Sequence, residues 1–437
     1  MTTLDDKAVI FAPATGMGRA AVAIVRVSGS GTRGVLETLC GRVPQARRAS
    51  LMSLRDPATG NALDQALVLW FPGPASFTGE DMAELQCHGG RSVVTAVLRA
   101  LGQLPQCRPA EAGEFTRRAL FNGRMTLDQV EGLADLIDAE TEAQRRQALR
   151  SLEGETGQAV KRWREDIVSA MALMEAAIDF SDESDVSEKV IADGLKLAQS
   201  IRDQIESELR KPQRPERLRD GYRIVLAGPP NAGKSTLLNA LARRDAAIVS
   251  PVAGTTRDVI EVHLDLGGYP VLLIDTAGLR DSEDVVEREG IKRTQDRIAG
   301  ADLVLWLQAP GGEACPLEGP NVIVLGTKAD LGESAAALAV SAATGAGIDT
   351  LLGSLRERAE RAFGSGEGTL ITRERHRAAL RDASFCLDRA LKGDAEAATE
   401  LVAEDLRLAA RALGRITGEV DVEEVLDRLF MGFCIGK

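Results

Sequence analysis

The octapeptide Gly228-Pro229-Pro230-Asn231-Ala232-Gly233-Lys234-Ser235 has the spacing G-x-x-x-x-G-K-[ST]. It follows an apolar run, Tyr222–Ala227, and opens a helical pattern, which is the setting this motif requires. A glycine-rich turn from strand into helix aims backbone N–H groups and a helix N-terminus at one point, where they cradle phosphate oxygens. Lys234 adds a point charge for the terminal phosphates, and Ser235 a hydroxyl for Mg2+. Residues 271–274, 303–307 and 322–325 are further apolar runs separated by helical patterns. That alternation predicts a parallel sheet over residues 221–360.

Short motifs follow in order. Asp275-Thr276-Ala277-Gly278 comes after the run 271–274. An acid at a strand's C-terminal end can bind the Mg2+ shell, and Gly278 lets the backbone approach a γ-phosphate. Gly254-Thr255-Thr256-Arg257-Asp258 lies in a loop long enough to close over a nucleotide. Thr327-Lys328-Ala329-Asp330 follows the run 322–325. An Asp there can accept both N1–H and the exocyclic amine of guanine, an edge that adenine lacks. Ser341-Ala342-Ala343 would supply a backbone wall for the base. Five motifs in this order predict a GTP site.

The chain has 437 residues, room for two to four domains at roughly 100–200 residues each. The six Cys (40, 87, 107, 315, 386, 434) include no C-x-x-C pair. That spacing fits reduced thiols in a cytosol and argues against a disulfide framework. The first residues lack the basic start and apolar core of a secretion signal, and no apolar run approaches the ~18–20 residues of a membrane span. A cytoplasmic protein with no membrane attachment is expected. The net charge of −12 disfavours a broad grip on nucleic acid, and 3% aromatic residues disfavour a base-stacking platform.

The flanks differ from the centre. Residues 8–120 read as α+β, with strands at 20–27, 64–71 and 81–88 and a helix at 92–101. Val22, Ile24, Arg26 and Ser28 share one strand face, as do Met82, Glu84, Gln86 and His88. An Arg on such a face is costly unless it meets an anion or a carbonyl, and an internal Arg26–Glu84 pair is one way to meet that need. His88 beside Cys87 gives two potential metal ligands without a third. Residues 126–210 and 373–430 carry helical periodicity, so the α/β unit reads as an insertion into a helical domain built from both flanks.

G-x-P-N-x-G-K-S, G-T-T-R-D and D-T-A-G together resemble the Era-like translation-factor-class GTPases. The flanks narrow the likeness: Pro74-Ala75-Ser76-Phe77-Thr78-Gly79-Glu80-Asp81, Glu84-Leu85-Gln86-Cys87-His88-Gly89-Gly90, Gly113-Glu114-Phe115-Thr116-Arg117-Arg118-Ala119 and Phe433-Cys434-Ile435-Gly436-Lys437 resemble the MnmE (TrmE) family of tRNA modification GTPases over nearly the whole chain. The resemblance implies a multidomain α/β and α+β protein: an N-terminal α+β folate-binding and dimerisation domain (1–122), a helical domain in two parts (123–217 and 371–437, the second ending in C-I-G-K), and an inserted Ras-like P-loop GTPase domain with a mostly parallel sheet (218–370).

It also implies site residues. GTP contacts fall on Asn231, Ala232, Gly233, Lys234, Ser235, Thr236, Ser250, Pro251, Val252, Ala253, Gly254, Thr255, Thr256, Asp275, Thr276, Ala277, Gly278, Thr327, Lys328, Asp330, Ser341, Ala342 and Ala343. Potassium would be held by Asn231, Ser250, Val252 and Thr255, and Mg2+ by Ser235 and Thr256. Leu279 stands where some GTPases keep a water-positioning Gln, and the family's Glu matches Glu287, which would orient the attacking water. Thr327 replaces the more usual Asn of N-K-x-D and keeps a hydroxyl for a loop contact. Folate contacts (5-formyl- or methylene-tetrahydrofolate) map to Arg26, Glu84, Arg124 and Lys437, with Cys434 near the modification chemistry as a catalytic or a substrate-positioning thiol.

The implied partners are tRNA, a second copy of the chain in a homodimer, and the FAD-dependent protein MnmG (GidA) in a heterotetramer. Their implied product is an aminomethyl or carboxymethylaminomethyl group at wobble uridine C5. Arg117-Arg118, Arg145-Arg146, Lys161-Arg162-Trp163-Arg164 and Arg214/Arg217/Arg219 read singly as solvated faces and together as a patch for tRNA. Two other readings stay open on the nucleotide motifs alone: a ribosome-assembly GTPase and a nucleotide-switched scaffold with negligible turnover.

Overall fold

A computed structural model of the chain describes residues 8–16, 18–179, 184–211, 214–244, 246–248, 261–275, 298–334, 336–364, 370–392, 399–420, 425–426, 429–430, 432–433 and 436. It divides into two compact units, Met1–Ala134 with Leu413–Lys437, and Asp135–Ala412.

The first unit is built on β1 (Val9–Pro13), β2 (Val22–Ser28), β3 (Ser50–Arg55), β4 (Ala62–Phe71), β5 (Met82–His88) and β6 (Cys107–Pro109), in sheet order β3-β4-β5-β2-β1-β6. All neighbours are antiparallel except β1 and β6. Helix α1 (Thr32–Cys40) lies between β2 and β3, α2 (Arg91–Gly102) between β5 and β6, and α3 (Glu114–Phe121) and the first part of α4 (Leu127–Asp138) follow β6. Strand alternation divides the side chains. Val25, Val27, Val68 and Leu85 face the core with Leu36, Leu39 and Leu101 of the helices. Their sequence neighbours Arg26 and Glu84 point to the other face, and the antiparallel register sets those two residues directly opposite each other.

In the second unit, α5 (Glu142–Leu152), α6 (Glu155–Asp179), α7 (Ser184–Arg210) and α8 (Arg214–Asp220) precede the α/β part, and α10 (Ile348–Phe363), α11 (Glu374–Lys392) and most of α12 (Thr399–Thr417) close it. Helix α6 packs on α7, where the Trp163 indole N–H donates to Gln204 Oε1 at 3.0 Å. Helix α11 also packs on α7, and Arg377 donates to the Leu209 carbonyl at 3.0 Å. Chain from before and after the insertion therefore shares one helical core.

The inserted part contains β7 (Tyr222–Ala227), α9 (Lys234–Ala242), β8 (Glu261–Asp265), β9 (Pro270–Asp275), β10 (Leu303–Gln308), β11 (Val322–Gly326) and β12 (Leu338–Ala339). The sheet order is β12-β11-β10-β7-β9-β8, parallel throughout except for the antiparallel edge strand β8. Central strands β7 and β10 are buried along most of their length, which is why they read as apolar runs, broken in β7 by the exposed Arg223. Among the described residues, no helix is long and apolar enough to cross a membrane.

Candidate functional site

Strand β7 ends at the centre of the parallel sheet and delivers the glycine-rich loop to its C-terminal edge, where ligands of open α/β sheets bind. Gly228 has φ +142°, and a Cβ there would stand 2.6 Å from the Leu307 carbonyl oxygen of β10. Only glycine fits so close to a neighbouring strand. Asn231 takes φ +60°, a left-handed conformation that Asn tolerates better than most residues. The loop then enters α9, whose first N–H groups point out of the helix toward the concavity.

The side chains converge there. Lys234 Nζ arches back over the loop and donates to the carbonyls of Gly228 and Pro229, at 2.9 Å each. Ser235 Oγ donates to Asp275 Oδ2 at 2.8 Å, and Asp275 is buried at the end of β9. A hydroxyl and a carboxylate so placed are hard oxygen donors of the kind Mg2+ takes. Thr236 stands in the first turn of α9.

The residues that the sequence assigns to base recognition lie on the β11 and β12 side. Thr327 Oγ1 donates to the Ala232 carbonyl at 2.7 Å, so the hydroxyl that replaces the usual Asn ties the two loops together. Replacing Thr327 with Ala removes that donor from a buried contact, at about 1 kcal/mol. GTP affinity is expected to fall roughly fivefold, and Thr327→Asn to retain most of it. Titration with a fluorescent GTP analogue checks this, and equal affinity in Thr327→Ala would mean that the bond does not shape the loop. Lys328 takes φ +54°. Ser341 Oγ donates to Asp330 Oδ1 at 2.6 Å, and this bond holds the Asp330 carboxyl below its ordinary range. An ionised carboxylate is an acceptor-only group, the state that can receive two guanine donors. Ser341 N–H donates to Ala346 O, closing the turn that carries Ala342 and Ala343.

The structure thus brings together Asn231, Ala232, Gly233, Lys234, Ser235, Asp275 and Thr327, with Asp330 and Ser341 forming a second pair. Ser250, Pro251, Val252, Ala253, Gly254, Thr255, Thr256, Thr276, Ala277, Gly278 and Glu287 lie outside the described residues. So do Cys434 and Lys437 of the terminal motif.

In the first unit, Arg26 Nη2 donates to Glu84 Oε1 at 3.0 Å, and both side chains are about one-fifth exposed (21% and 18%). The guanidinium lies over the rings of Phe77 and Phe115, at 5.5 and 5.8 Å from their centroids. Arg26 Nη1 reaches the Gly436 carbonyl at 3.5 Å. Arg124 stands on the neighbouring loop, where a Cβ on Gly79 would lie 3.2 Å from its Cγ. His88 Nδ1 lies 2.8 Å from Asp64 Oδ1, and His88 N–H donates to Asp64 Oδ2. Burial alone would raise the Asp64 carboxyl, but these bonds outweigh it and hold the pKa below the ordinary value.

Beside this pair runs an ionic chain that motif reading passed over. Ser28 Oγ donates to Glu80, Arg118 holds both Glu80 oxygens and one of Glu114, and Arg108 is bidentate to Glu114. Arg118 is 10% exposed, so the reading of Arg117-Arg118 as a solvated face is corrected for Arg118. The available signal was the four-residue spacing from Glu114. The other basic stretches also meet carboxylates: Arg117 pairs with Glu111, Arg145 and Arg146 share Glu142, and Arg217 pairs with Asp302. The two Arg bonds draw the Glu142 carboxyl down to about 2.

Two family models match the chain. "GTP-binding protein TrmE N-terminus" covers residues 9–124, and "MnmE helical domain" covers residues 127–434. Similar full-length relatives carry the name tRNA modification GTPase MnmE. The protein from Methylorubrum populi is 59% identical over 438 residues, 98% of each chain. The one from a Methylobacterium species is 58% identical over 437 residues, 98% of this chain and 99% of its own. The one from Azorhizobium caulinodans is 54% identical over 441 residues, spanning all of both chains.

Proposed function

The chain belongs to the MnmE (TrmE) family of tRNA modification GTPases, and from that premise we propose that it hydrolyses GTP to drive a conformational cycle in tRNA modification. The observation that carries the GTPase part is the convergence at one sheet edge of Lys234, the Ser235–Asp275 pair and the Thr327–Ala232 bond. The modified atom in this reading is C5 of the wobble uridine in certain tRNAs. A folate one-carbon unit and the FAD-dependent partner MnmG (GidA) contribute to an aminomethyl or carboxymethylaminomethyl group there.

Lys234 and the loop N–H groups bind and orient the phosphates, and Asp330 reads the guanine edge. Ser235 and Asp275 fit a Mg2+ site by donor type and spacing, with Thr256 as the further proposed ligand. When bound, Mg2+ and potassium supply positive charge beside the β- and γ-phosphates. Asn231, Ser250, Val252 and Thr255 are the proposed potassium ligands, and Glu287 the residue that orients the attacking water. Hydrolysis would open and close paired GTPase domains and would take no part in the carbon chemistry.

The folate part rests on Glu84 and Arg26. A carboxylate on this sheet face can accept from the N–H and amino edge of a pterin, and the 3.0 Å bond from Arg26 fixes its orientation. Arg124 and Lys437 are the further proposed contacts, with Cys434 acting beside them. Homodimerisation would run through the N-terminal unit.

Nucleoside mass spectrometry of tRNA tests the whole reading. Cells lacking the protein are expected to lose wobble uridine C5 modification, with wild type restoring it and Glu287→Ala restoring little. Unchanged modification in the deletion strain would sink the tRNA reading. Full rescue by Glu287→Ala would uncouple modification from hydrolysis.

A further inference from the structure

The hairpin of β8 and β9 rests on the N-terminus of α5. The Ala143 N–H donates to the Gly268 carbonyl at 3.0 Å, and His263 Nδ1 lies 3.0 Å from Glu140 Oε2. Thr141 caps α5, and its hydroxyl accepts from the Gln144 N–H. The Ala143 N–H belongs to the same first turn, where a helix has no carbonyl of its own to offer, and the hairpin supplies one. Gly268 has φ +92°, and a Cβ there would stand 3.7 Å from Glu142 Cβ, in ordinary contact. Tyr269, next in the turn, stacks on Phe363 at the end of α10, with ring centroids 5.8 Å apart. Gln144 Nε2 also donates to the Arg219 carbonyl at 3.2 Å, just before β7 begins.

The same hairpin reaches the nucleotide site. Strand β9 ends at Asp275, whose carboxylate accepts from Ser235 Oγ at 2.8 Å. Strand β8 is bonded along both edges. His263 stands opposite Leu272 of β9. Its carbonyl accepts from the Ile248 N–H at 2.9 Å, and the Asp265 N–H donates to the Ala246 carbonyl at 2.8 Å. In sequence, Ile248 precedes and Glu261 follows the stretch that carries Ser250, Val252, Thr255 and Thr256. His263 therefore has its backbone in a ladder that leads to the nucleotide residues and its side chain on the helical part. We propose that the β8–β9 hairpin and the start of α5 form a coupling contact that carries the nucleotide state to the helical part, with His263 and Glu140 as its positioning residues. The proposal rests on the GTPase reading above. A strand bonded on both edges moves with its neighbours, because leaving them would orphan backbone N–H and C=O groups. The side-chain pair is partly exposed (47% and 29%), so it holds weakly and can part and re-form. A nucleotide can shift the helical part only through a contact whose free energy differs between the GTP and GDP states.

Hydrogen exchange of the α5 peptide in the full-length protein tests this, with GDP and with a non-hydrolysable GTP analogue. In wild type, exchange at the start of α5 is expected to differ between the two nucleotides by about fivefold or more, the lower end of ordinary coupling. His263→Ala and Glu140→Ala should each reduce that difference to about twofold or less. The double variant should reduce it no further, since both substitutions remove one interaction. Lys196→Ala, which cuts an exposed ion pair with Asp193 within α7, should behave as wild type. A contact that only fixes the two parts together would change α5 exchange equally with either nucleotide, and that result in the variants overturns the proposal. So does a wild-type protein that binds both nucleotides and shows the same α5 exchange with each. Titration of the same samples with both nucleotides separates the two readings: wild type that binds neither overturns the GTPase reading, and the coupling falls with it.

Discussion

Replacing Lys234 with alanine is expected to lower GTP hydrolysis by about 10²–10³-fold, the loss seen when one preorganised charge-stabilising donor is removed from an active site. Lys234 Nζ is held over the loop by the carbonyls of Gly228 and Pro229, and the side chain is 8% exposed. The ammonium is therefore in place before any phosphate arrives, and little side-chain entropy is lost on binding. Charge builds on the phosphate oxygens in the transition state, so the deficit should fall more on the single-turnover rate than on nucleotide affinity. Lys234→Arg should recover little, because a planar guanidinium cannot replace a compact ammonium on two converging carbonyls. The loop keeps its shape through Gly228, Asn231 and the Thr327 bond, so melting temperature should hardly move. A single-turnover rate within threefold of wild type would remove Lys234 from the chemistry.

How much of this was legible follows from the range of each interaction. Strand β7 was readable to the residue, and β10 to within one, because a buried parallel strand is a continuous apolar run. The loop after β7 was readable because its conformation is set by local glycines and one Asn. In the first unit, β2, β4 and β5 were found within two residues, and alternation placed Arg26 with Val22, Ile24 and Ser28 on one strand face and Glu84 with Met82, Gln86 and His88 on another. The Arg26–Glu84 pair raised as one way to satisfy Arg26 is present, although the register that makes it joins segments 58 residues apart, which alternation alone does not fix. Strands β1 and β6 went unseen because they have five and three residues and each ends in Pro. The return of residues 413–437 to the N-terminal unit was also hidden, since helical periodicity tells which face is apolar and not what covers it. Arg118 looked like surface charge for the same reason: the carboxylate of Glu80 that buries it is 38 residues away.

That ionic chain gives the second large effect. Replacing Glu114 with alanine is expected to destabilise the N-terminal unit by ~3–5 kcal/mol, the usual cost of removing one partner from a buried charge pair. Glu114 is 1% exposed, and its oxygens accept from Arg108 at 2.6 and 2.8 Å, from Glu111 N–H at 2.9 Å and from Arg118 at 3.0 Å. Its loss leaves Arg108 short of its bidentate acceptor and Arg118 dependent on Glu80 alone among these carboxylates. The pH dependence identifies charge as the cause. Burial alone would raise the Glu114 carboxyl, but the bonds from Arg108, Glu111 and Arg118 outweigh it and hold the pKa below its ordinary 4.5. A depressed carboxyl pKa gives stability that is present above the unfolded value and lost as pH falls toward the folded one. The gap between wild type and Glu114→Gln should therefore stay constant above about pH 5 and narrow below about pH 4.5. Native-state hydrogen exchange at β1 and α3, followed from about pH 6 downward, reads both the size of the gap and its trend. A gap that is independent of pH would assign the cost to lost packing and neutral hydrogen bonds, and a gap under about 1 kcal/mol would mean that the chain of charges is not what holds this corner of the fold.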